Sequence, residues 1–250
     1  MPEGFRGGPV VRRGTVVSTM DEARGLPPSP VPVVVVAQAQ TGGRGRFDRT
    51  WVSPPEGGLY LTVRIPWSRP LAQAPLVSMG AALALARLCE ELGCLGITLK
   101  WPNDLLLDQR KAAGILAEMH HPPRLPPQLL VGVGLNVSLA HAVLSRVGQP
   151  AVSLEDSCGR SLDLEQVLSR FLEIWSGVDE ILEREGFACL AEEYRSRSDL
   201  PGRLFRLEGS GEKPEIVRVH QILDDGTLAV DSVPGGNRRI LHGGELLPLP

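Results

Sequence analysis

The sequence predicts a main domain of mixed strands and helices, residues 1–200, followed by a small SH3-like β-barrel, residues 201–250. Three observations favour this division. The main part holds β-branched and alternating runs that are typical of strands. It also holds two long segments with helical periodicity. From Pro201 onward only short alternating apolar segments occur, as expected for small antiparallel strands.

The composition is that of a globular protein with a well-filled core. The 250 residues fit one large domain, or a main domain with a small appendage. Hydrophobic residues make up 42% of the chain, which excludes a disordered protein. Aromatic residues are scarce at 4%, whereas glycine (28) and proline (22) are plentiful. We therefore expect many tight loops around a core of valine, leucine and alanine.

The elements of the main domain follow from local patterns. The run VVVV at 33–36 is β-branched and unbroken, which indicates a strand buried on both faces. The segment LYLTVRI at 59–65 alternates and predicts a half-buried strand. Residues 75–92 begin with proline, are rich in alanine and leucine, and end before Gly93, so they predict a helix. Short apolar runs predict further strands at 97–100, 104–107, 114–119 and 129–133.

A second long helix and the C-terminal barrel complete the chain. Apolar residues recur at helical spacing over 163–184, and Gly186 closes that helix. A shorter helix is expected to run through Tyr194. DDGT at 224–227 is a hairpin turn signal between short alternating segments. A core of about 50 residues is marginal alone, so we expect the barrel to pack on the main domain or on a partner subunit.

Charge and targeting features exclude several classes of protein. The net charge is −3, from 26 Lys and Arg against 29 Asp and Glu, which argues against a general nucleic-acid or membrane-surface binder. The N-terminus lacks the apolar run of a signal peptide. The longest apolar stretch, VPVVVVA at 31–37, is too short to span a bilayer. We expect a cytoplasmic protein with no nucleic-acid or membrane partner.

Cysteine and histidine usage gives no sign of a metal site. The four cysteines are Cys89, Cys94, Cys158 and Cys189, and no two form a C-x-x-C pair. We interpret them as buried or idle thiols in a reducing compartment, with the two nearest inside one helix. The five histidines show no ligand spacing, so we predict no metal ligands in the chain.

The segment TGGRGRFDRTW at 41–51 carries three glycines and three arginines ahead of a tryptophan. Arg44, Arg46 and Arg49 lie close together in a stretch that glycine makes mobile, and their like charges repel. A bound polyanion would supply charge-assisted hydrogen bonds that offset the entropy of ordering the loop. The loop is therefore predicted to be disordered when empty and to close over phosphates. A solvated basic loop or an incidental RNA contact is an equally good explanation of this segment alone. It is not a Walker loop, because G-K-[ST] is absent.

A second candidate segment is KWPNDLLLDQRKAAGIL at 100–116, which contains turns at 102–104 and 108–110. This layout places Lys100 and Lys111 on neighbouring antiparallel segments, where both can face one cleft. A lysine at a strand end beside backbone amides suits an electrophilic clamp for a carboxylate or an α-phosphate. For either lysine alone, an ordinary surface charge is the other explanation.

The third candidate segment is LLVGVGLNV at 129–137. Gly132 and Gly134 interrupt a buried strand, which commonly marks close approach by a ligand or by another backbone. Asn136 stands in an otherwise apolar run and needs a hydrogen-bond partner if it is buried. A tightly packed core strand explains this segment nearly as well.

Four segments taken in order, STMDEAR (18–24), QTGGRGRFDRTWVSPPEGGLYLTV (40–63), KWPNDLLLDQRKAAGIL (100–116) and GVGLNVS (132–138), closely resemble the biotin protein ligases. The resemblance covers most of the chain and continues into the C-terminal barrel. It implies an α+β catalytic domain, shared with lipoate ligases and related to class II aminoacyl-tRNA synthetases, followed by an SH3-like domain. It also implies ATP-dependent formation of biotinyl-5′-AMP, then transfer of the biotinyl group to one lysine of a carrier domain.

The resemblance implies roles for matching positions. The biotin-side positions are Ser18, Thr19, Gln40, Arg44, Gly45, Arg46, Lys100, Gly114 and Gly132. The ATP-side positions are Arg46, Arg49, Trp51, Asn103, Lys111, Gly134 and Asn136. The catalytic groups are Lys100, beside the biotin carboxylate, and Arg44 and Arg46, in the loop that closes over the intermediate. Biotin and ATP are then the substrates, and Mg²⁺ on the phosphates shares the neutralisation of charge.

The resemblance also has departures and implied partners. Many relatives have Asn after the Ser-Thr pair, where this chain has Met20, which leaves at most a backbone contact to biotin there. Some relatives repress transcription through an N-terminal winged-helix domain, but VVSTMDEAR begins here at residue 16, so we expect no DNA-reading domain. The implied partner is the biotin carrier of acetyl-CoA carboxylase, with pyruvate carboxylase as another possibility. Relatives pair through the catalytic sheet, so a homodimer is a further expectation.

Other functions fit parts of the pattern. A lipoate or octanoyl ligase or transferase shares the fold, although the G-R-G-R loop together with K-W-P-N-D favours biotin. A non-catalytic biotin or nucleotide sensor, or a repressor, is expected to have lost Lys100 or the arginines, and all of them are present. A plain structural protein leaves the cationic loop without a purpose.

Overall fold

The computed structural model describes residues 4–145, 147–209 and 214–249, which form a seven-stranded sheet, a five-stranded sheet and six α-helices. The helices are α1 Thr19–Gly25, α2 Ala74–Leu92, α3 His141–Leu144, α4 Leu154–Cys158, α5 Leu164–Glu185 and α6 Ala188–Ser196. The strands of the large sheet are β1 Val10–Val16, β2 Val33–Gln40, β3 Gly58–Pro66, β4 Ile97–Lys100, β5 Asp104–Leu107, β6 Arg110–His120 and β7 Gln128–Asn136. The strands of the small sheet are β8 Leu204–Glu208, β9 Glu215–Ile222, β10 Leu228–Val233, β11 Arg238–Leu241 and β12 Glu245–Pro248.

The large sheet has the order β1-β2-β3-β7-β6-β5-β4 and is antiparallel except for the β1–β2 pair. α1 covers one face, where Met20 and Ala23 pack with Val35 and Leu130. α2 and α5 cover the other face, where the main hydrophobic core lies. Because side chains alternate along a strand, the central strands are buried on both sides.

α2 is the central helix of the core. It has Pro75 in its first turn and ends at Gly93, whose φ of 82° lies in the left-handed region that glycine adopts at little cost. Its length and composition, with the turn before it, would suit a membrane span over Leu71–Leu92, but 67% of that window is buried inside the protein. The helix therefore packs between the large sheet and α5 as a core helix.

The small sheet packs on the main domain, which is one of the two arrangements expected from its size. Its apolar side chains, including Phe205, Val217 and Leu228, belong to the same hydrophobic cluster as α2 and the large sheet. The buried Trp101 indole also donates a hydrogen bond of 2.9 Å to the Gly226 carbonyl oxygen in the β9–β10 turn. The 200/201 division predicted from the sequence falls between α6 and β8.

The predicted half-burial of 59–65 is wrong, because β3 is buried on both faces. Tyr60, Thr62 and Arg64 were expected to face solvent, yet they are at most 3% exposed, since α1 and the chain after it cover them. The Arg64 guanidinium donates hydrogen bonds of 2.7 Å and 2.6 Å to the carbonyl oxygens of Leu26 and Pro27. Carbonyl oxygens at the end of α1 thus satisfy the charge of Arg64, which the alternating pattern had predicted to be exposed to solvent.

Several short elements were not predicted: β1, α1, α3, α4 and β12. Each is seven residues or fewer, so its periodicity is too brief to separate from a loop. β6 and β7 extend further than expected because their glycines lie within the strands and do not end them. The remaining predicted helices and strands are confirmed to within a few residues.

Two placements need correction. Lys100 and Lys111 do not lie on neighbouring segments, because β5 pairs with β4 on one side and with β6 on the other. Cys94 lies outside α2, directly after Gly93, while Cys89 lies inside it. Both differences arise at turns. The sequence indicates where these turns lie, but it does not establish which segments pair across them.

Candidate functional site

A cleft with an empty volume of about 890 Å³ opens at one end of the large sheet, under the Arg loop (residues 41–51) and beside the small sheet. It brings together every predicted site residue except Asn136. These residues are Ser18, Thr19, Gln40, Arg44, Gly45, Arg46, Arg49, Trp51, Lys100, Asn103, Lys111, Gly114, Gly132 and Gly134. Segments far apart in the sequence therefore line one cavity.

Each arginine of the Arg loop has a polar partner in this structure. The sequence had instead predicted unpaired cations that repel one another. Arg44 Nη2 lies 2.9 Å from Asp21 Oδ1 on α1. Arg49 forms an ion pair with Glu245, the first residue of β12. Both pairs leave the arginine more than one third exposed, at 38% and 51%. They are therefore weak contacts that an anion of higher charge can displace.

Arg46 is the deepest of the three arginines. It donates a hydrogen bond of 3.0 Å to Asn103 Oδ1 and one of 3.1 Å to the Gly244 carbonyl oxygen. Burial lowers its pKa, and Asp104 and Glu245 oppose that effect. A half-buried guanidinium with two neutral partners is well placed to gain energy from an anionic ligand.

The Arg loop folds back on itself through backbone contacts. The amide of Gly45 donates to the Arg49 carbonyl oxygen at 2.7 Å, and the amide of Trp51 donates to the Gly43 carbonyl oxygen at 2.9 Å. A Cβ on Gly43 would lie 2.4 Å from the Trp51 carbonyl oxygen, so this position requires glycine. The Phe47 ring reaches across to the small sheet, where a Cβ on Gly209 would lie 2.3 Å from it. The loop is thus a strap between α1 and the small sheet.

Two lysines stand on the floor of the cleft. Burial lowers the pKa of Lys100, with Asp104 and Glu245 opposing the shift and Lys111 adding to it. Lys111 Nζ forms an ion pair of 2.8 Å with Asp104 Oδ1, and both side chains are less than one fifth exposed. Lys100 has no ion pair of this kind among the described residues, so its partly buried charge favours an incoming carboxylate or phosphate.

A polar network closes the end of the cleft next to α1. The amide and hydroxyl of Thr19 both donate to Gln40 Oε1, at 2.9 Å and 3.2 Å. Gln40 Nε2 donates to Ser53 Oγ at 2.8 Å, and Thr62 Oγ1 lies 2.9 Å from Thr19 Oγ1. Ser18 caps α1 by accepting a hydrogen bond from the Met20 amide at 3.2 Å. This end therefore presents several oriented donors and acceptors within a mostly apolar wall.

The glycines of β6 and β7 make room for protein side chains, whereas the sequence predicted close approach by a ligand or a backbone. A Cβ on Gly134 would lie 2.3 Å from the Trp51 indole, and one on Gly114 would lie 3.1 Å from it. Gly132 faces Met20, whose sulfur would lie 3.2 Å from such a Cβ. The Trp51 indole nitrogen is buried and has no hydrogen-bond partner within the described part of the chain, which leaves a donor available to a ligand.

Asn136 lies beside the cleft and outside its lining. It is 5% exposed, and its amide nitrogen donates to the carbonyl oxygens of Lys111 and Val152, each at 3.2 Å. It lines an adjoining cavity together with Trp51 and Lys111. The hydrogen-bond partners expected for a buried Asn136 are therefore backbone carbonyl oxygens. One of them belongs to Lys111, so Asn136 helps to hold the strand that carries this lysine.

Sequence reasoning missed the acidic partners in the cleft. Asp21, Asp104 and Glu245 engage Arg44, Lys111 and Arg49, respectively. Asp104 stands in the KWPND stretch and was treated only as a turn residue. No local sequence pattern indicates a role for Glu245, because this residue approaches the Arg loop only through the packing of the small sheet.

The chain belongs to the Biotin/lipoate A/B protein ligase family, whose family model matches residues 11–136. It is 33% identical over 222 residues to the Biotin--[acetyl-CoA-carboxylase] ligase of Mycobacterium tuberculosis, covering 87% of this chain and 79% of that protein. It is also 33% identical over 157 residues to the Bifunctional ligase/repressor BirA of Escherichia coli. That match covers 61% of this chain and 47% of BirA, so the chain spans about half the length of this relative.

Solved structures of the family have the same fold. The biotin protein ligase from Aquifex aeolicus in complex with biotin and ATP superposes with a TM-score of 0.76 at 25% identity, covering 95% of this chain and 97% of that one. The biotin protein ligase from Leishmania major in complex with biotinyl-5-AMP superposes with a TM-score of 0.65 at 24% identity, covering 93% and 98%. The α+β fold with a small C-terminal β domain is therefore confirmed.

Proposed function

We propose that this protein activates biotin with ATP to form biotinyl-5′-AMP and transfers the biotinyl group to a lysine of a biotin carrier domain. The observation that carries the proposal is the single cleft that joins the Thr19–Gln40 network to Lys100, Lys111 and the arginines of the Arg loop. One end suits a polar heterocycle and the other suits anions. Biotin, with a ureido ring at one end and a carboxylate at the other, matches both.

In the first step, an oxygen of the biotin carboxylate attacks the α-phosphorus of ATP. The bond from that phosphorus to the bridging oxygen breaks, and pyrophosphate leaves. Both reactants are anions, so the barrier includes their mutual repulsion. Lys100, Arg44 and Arg46 neutralise the charge that develops, in a cleft where burial strengthens each interaction. The ureido ring lies at Ser18, Thr19 and Gln40 in this scheme.

In the second step, the amine of the carrier lysine attacks the acyl carbon of the mixed anhydride. The bond from that carbon to the phosphate oxygen breaks, AMP leaves, and the new amide nitrogen loses a proton. Water that reached the mixed anhydride would hydrolyse it, so the Arg loop must cover the intermediate and then open to admit the carrier. Its weak, exposed ion pairs permit both positions.

The proposal includes Mg²⁺, which enters with the phosphates of ATP. The carboxylates lining the cleft are Asp104 and Glu245, and a carboxylate together with phosphate oxygens is the donor set that Mg²⁺ prefers. These carboxylates fit the ion, and Asp104 would have to give up its ion pair with Lys111 to bind it. When bound, Mg²⁺ withdraws charge from the phosphates and helps pyrophosphate to leave.

The proposed partner is the biotin carrier domain of acetyl-CoA carboxylase. The names of the relatives from Mycobacterium tuberculosis and Paracoccus denitrificans support this choice, at 33% and 34% identity. The carrier of pyruvate carboxylase is the second candidate. We further propose that the protein acts in the cytoplasm and pairs as a homodimer through the large sheet. Light scattering with and without biotin and ATP tests the last point.

A lipoate or octanoyl ligase is the competing function, because the family model covers both kinds of enzyme. The Thr19–Gln40–Ser53 network favours biotin. The ureido ring of biotin has two N–H donors and a carbonyl acceptor, which oriented polar groups recognise. The dithiolane ring of lipoate has neither and would leave these groups without partners.

The deciding experiment incubates the protein with ATP, Mg²⁺, biotin and a purified carrier domain of acetyl-CoA carboxylase, and reads intact mass. The carrier is expected to gain one biotinyl group, and a carrier with its acceptor lysine changed to arginine is expected to gain none. A parallel reaction with lipoate and a lipoyl domain is expected to give no product. Modification of the lipoyl domain alone would overturn the proposal in favour of the competing function.

A further inference from the structure

Two cysteines occupy linked positions at the C-terminal end of α2. Gly93 takes a left-handed conformation, its amide donates to the Glu90 carbonyl oxygen at 3.0 Å, and the Cys94 amide donates to the Cys89 carbonyl oxygen at 2.9 Å. This pair of hydrogen bonds is the Schellman motif, in which the fourth residue from the end of the helix accepts a hydrogen bond from the second residue after it. Here those two residues are Cys89 and Cys94, so the motif that ends the helix also brings two thiols together.

A third cysteine adjoins the pair. Cys158 is the last residue of α4, and the Cys94 sulfur lies 4.0 Å from the Leu154 carbonyl oxygen one turn earlier in that helix. The Cys94 thiol lies close enough to Cys89, Ser157 and Cys158 for each of them to influence its pKa. Cys89 and Cys94 are buried, at 0% and 6% exposure, whereas Cys158 is partly exposed. We call Cys89, Cys94 and Cys158 the thiol cluster.

The surroundings of Cys94 favour its thiolate form. The neighbouring donor groups of Cys89, Ser157 and Cys158 lower the pKa of Cys94 to about 7, helped by the charge of Arg160 and opposed by burial. The pKa of Cys89 is raised, chiefly by the hydrogen bond that it gives to Cys94. The Ser157 hydroxyl is buried and has no hydrogen-bond partner among the described residues, so its proton can turn toward the Cys94 sulfur. The cluster therefore holds a nucleophilic sulfur beside a protonated thiol.

We propose that the thiol cluster is a site of reversible oxidation by peroxide, with Cys94 as the attacking sulfur and Cys89 as the thiol that completes a disulfide. The Cys94 thiolate attacks one peroxide oxygen, the oxygen–oxygen bond breaks, and hydroxide leaves, which gives a sulfenic acid. The Cys89 sulfur then attacks the Cys94 sulfur, its proton passes to the departing oxygen, and water leaves. One peroxide is reduced to two waters while two thiols become one disulfide.

Geometry selects Cys89 as the second thiol. A disulfide requires Cα atoms about 4.4–6.8 Å apart, and a direct backbone hydrogen bond between the two residues keeps them close. Cys158 belongs to another helix, and no backbone hydrogen bond ties it to Cys94 among the described residues. Cys158 instead leads from the cluster to solvent, because it is partly exposed.

The fourth cysteine provides a matched control. Cys189 is exposed on α6, and its sulfur lies 4.0 Å from the Glu185 carbonyl oxygen. Removing it by Cys189→Ser eliminates disulfides between molecules through that exposed thiol and leaves only the thiol cluster. The sequence interpretation was that the four cysteines are buried or idle thiols; Cys89 and Cys94 are buried, whereas Cys189 is exposed.

In the test, the Cys189→Ser protein is treated with hydrogen peroxide at a concentration equal to that of the protein. The protein is then unfolded, its free thiols are alkylated, and its intact mass is measured. The untreated protein is expected to take up three alkyl groups, and the treated protein one. Peptide mapping is expected to find Cys89 joined to Cys94, with Cys158 alkylated, and dithiothreitol is expected to restore three. These readouts do not depend on ligase activity, so they test the thiol cluster whatever the protein's substrate.

Two variants keep the proposal falsifiable. With Cys94→Ser added, the two remaining thiols are expected to stay reduced, and with Cys158→Ser added the disulfide is expected to form as before. Three outcomes would overturn the proposal. The treated protein could take up alkyl groups on all its thiols, it could carry sulfinic acid with no disulfide, or it could contain a disulfide between Cys94 and Cys158. The unfolding temperature is expected not to fall on disulfide formation, whereas a sulfinate buried in this core would lower it.

Discussion

Lys100 shows how a single side chain acquires a role from its surroundings. It ends β4 at the edge of the cleft, where burial penalises its charge. An anion that binds beside it relieves that penalty. The same reasoning does not apply to an exposed lysine, whose charge is already stabilised by water.

Lys100→Ala is expected to abolish most adenylation while the protein stays folded. Loss of one such contact commonly raises a barrier by about 2.7–4 kcal/mol, which is a rate loss of about 100- to 1000-fold. Biotin-dependent release of pyrophosphate measures the first step directly, and circular dichroism checks the fold. Near-normal pyrophosphate release from a folded variant would remove Lys100 from the mechanism.

The pH profile of adenylation tests the charge of Lys100. Its pKa lies below the ordinary lysine range because it is buried. Lysine is charged below its pKa, so the rate is expected to fall as pH rises through this lowered value. Arginine keeps its charge at any pH that the protein survives. Lys100→Arg is therefore expected to be slower at neutral pH but to lack the alkaline decline. An unchanged decline in this variant would assign it to another group.

Gly134 is required because the Trp51 indole lies directly over it. In Gly134→Ala the new Cβ would lie 2.3 Å from the indole, so Trp51 must move. We expect a loss of about 1–3 kcal/mol in stability, and a larger rise in the KM for ATP than in that for biotin. Gly14→Ala is the control, since nothing lies within 4 Å of its Cβ. Thermal unfolding and initial rates measure both effects, and equal behaviour of the two variants would contradict this explanation.

At the scale of elements, the Arg loop is a strap attached at both ends. Arg44 links it to α1 through Asp21, and Arg49 links it to β12 through Glu245. Backbone hydrogen bonds within the loop hold its shape, so it can move as a unit when these exposed links are exchanged for phosphate contacts. The loop is thus suited to cover an intermediate and to release it.

Arg44→Gly is expected to release biotinyl-5′-AMP into solution, because the cover over the mixed anhydride is lost. Free adenylate then acylates unrelated lysines. The measurement is biotin attached to a bystander protein such as albumin, alongside adenylate in the filtrate. Arg44→Lys keeps a cation at this place and is expected to release less. If Arg44→Gly releases no more adenylate than the unchanged protein, the covering role is wrong.

At the scale of the whole molecule, the small sheet contributes to the cleft. Glu245 and Gly244 reach Arg49 and Arg46, and the Phe47 ring lies against Gly209. The sheet shares one hydrophobic core with the main domain, so these contacts are held in place by packing over a large area. The C-terminal part is therefore a wall of the site.

Glu245→Gln is expected to lower the KM for ATP by a few-fold. The carboxylate competes with the phosphates for Arg49, and an exposed ion pair is worth about 0.2–1 kcal/mol, which sets the scale of the change. Asp231→Asn is the control, because it removes another carboxylate of the small sheet that pairs with an arginine, Arg238. Initial rates at varied ATP measure the effect. A large increase in KM would mean that Glu245 contacts the metal–nucleotide complex directly.

The sequence alone determined the long elements and most of the predicted residues that line the cleft. Runs such as VVVV, and the helical spacing over 163–184, are local properties of the chain, and α2 and α5 begin and end close to the predicted bounds of 75–92 and 163–184. The GRGR and KWPND stretches pointed to the family by their resemblance to it, and cations on a loop and at a strand end also suit the chemistry of two meeting anions.

Only the tertiary structure decided which groups face each other. The burial of Arg64, the pairing of Arg49 with Glu245 and the place of Trp51 over Gly134 all join segments far apart in the chain. The meeting of Cys94 with Cys158 is of the same kind. Local patterns report how a residue relates to its neighbours in sequence, whereas charge pairing, burial and pKa depend on distances across the fold. Those distances are set by how the two sheets and α2 share one core, which no single segment encodes.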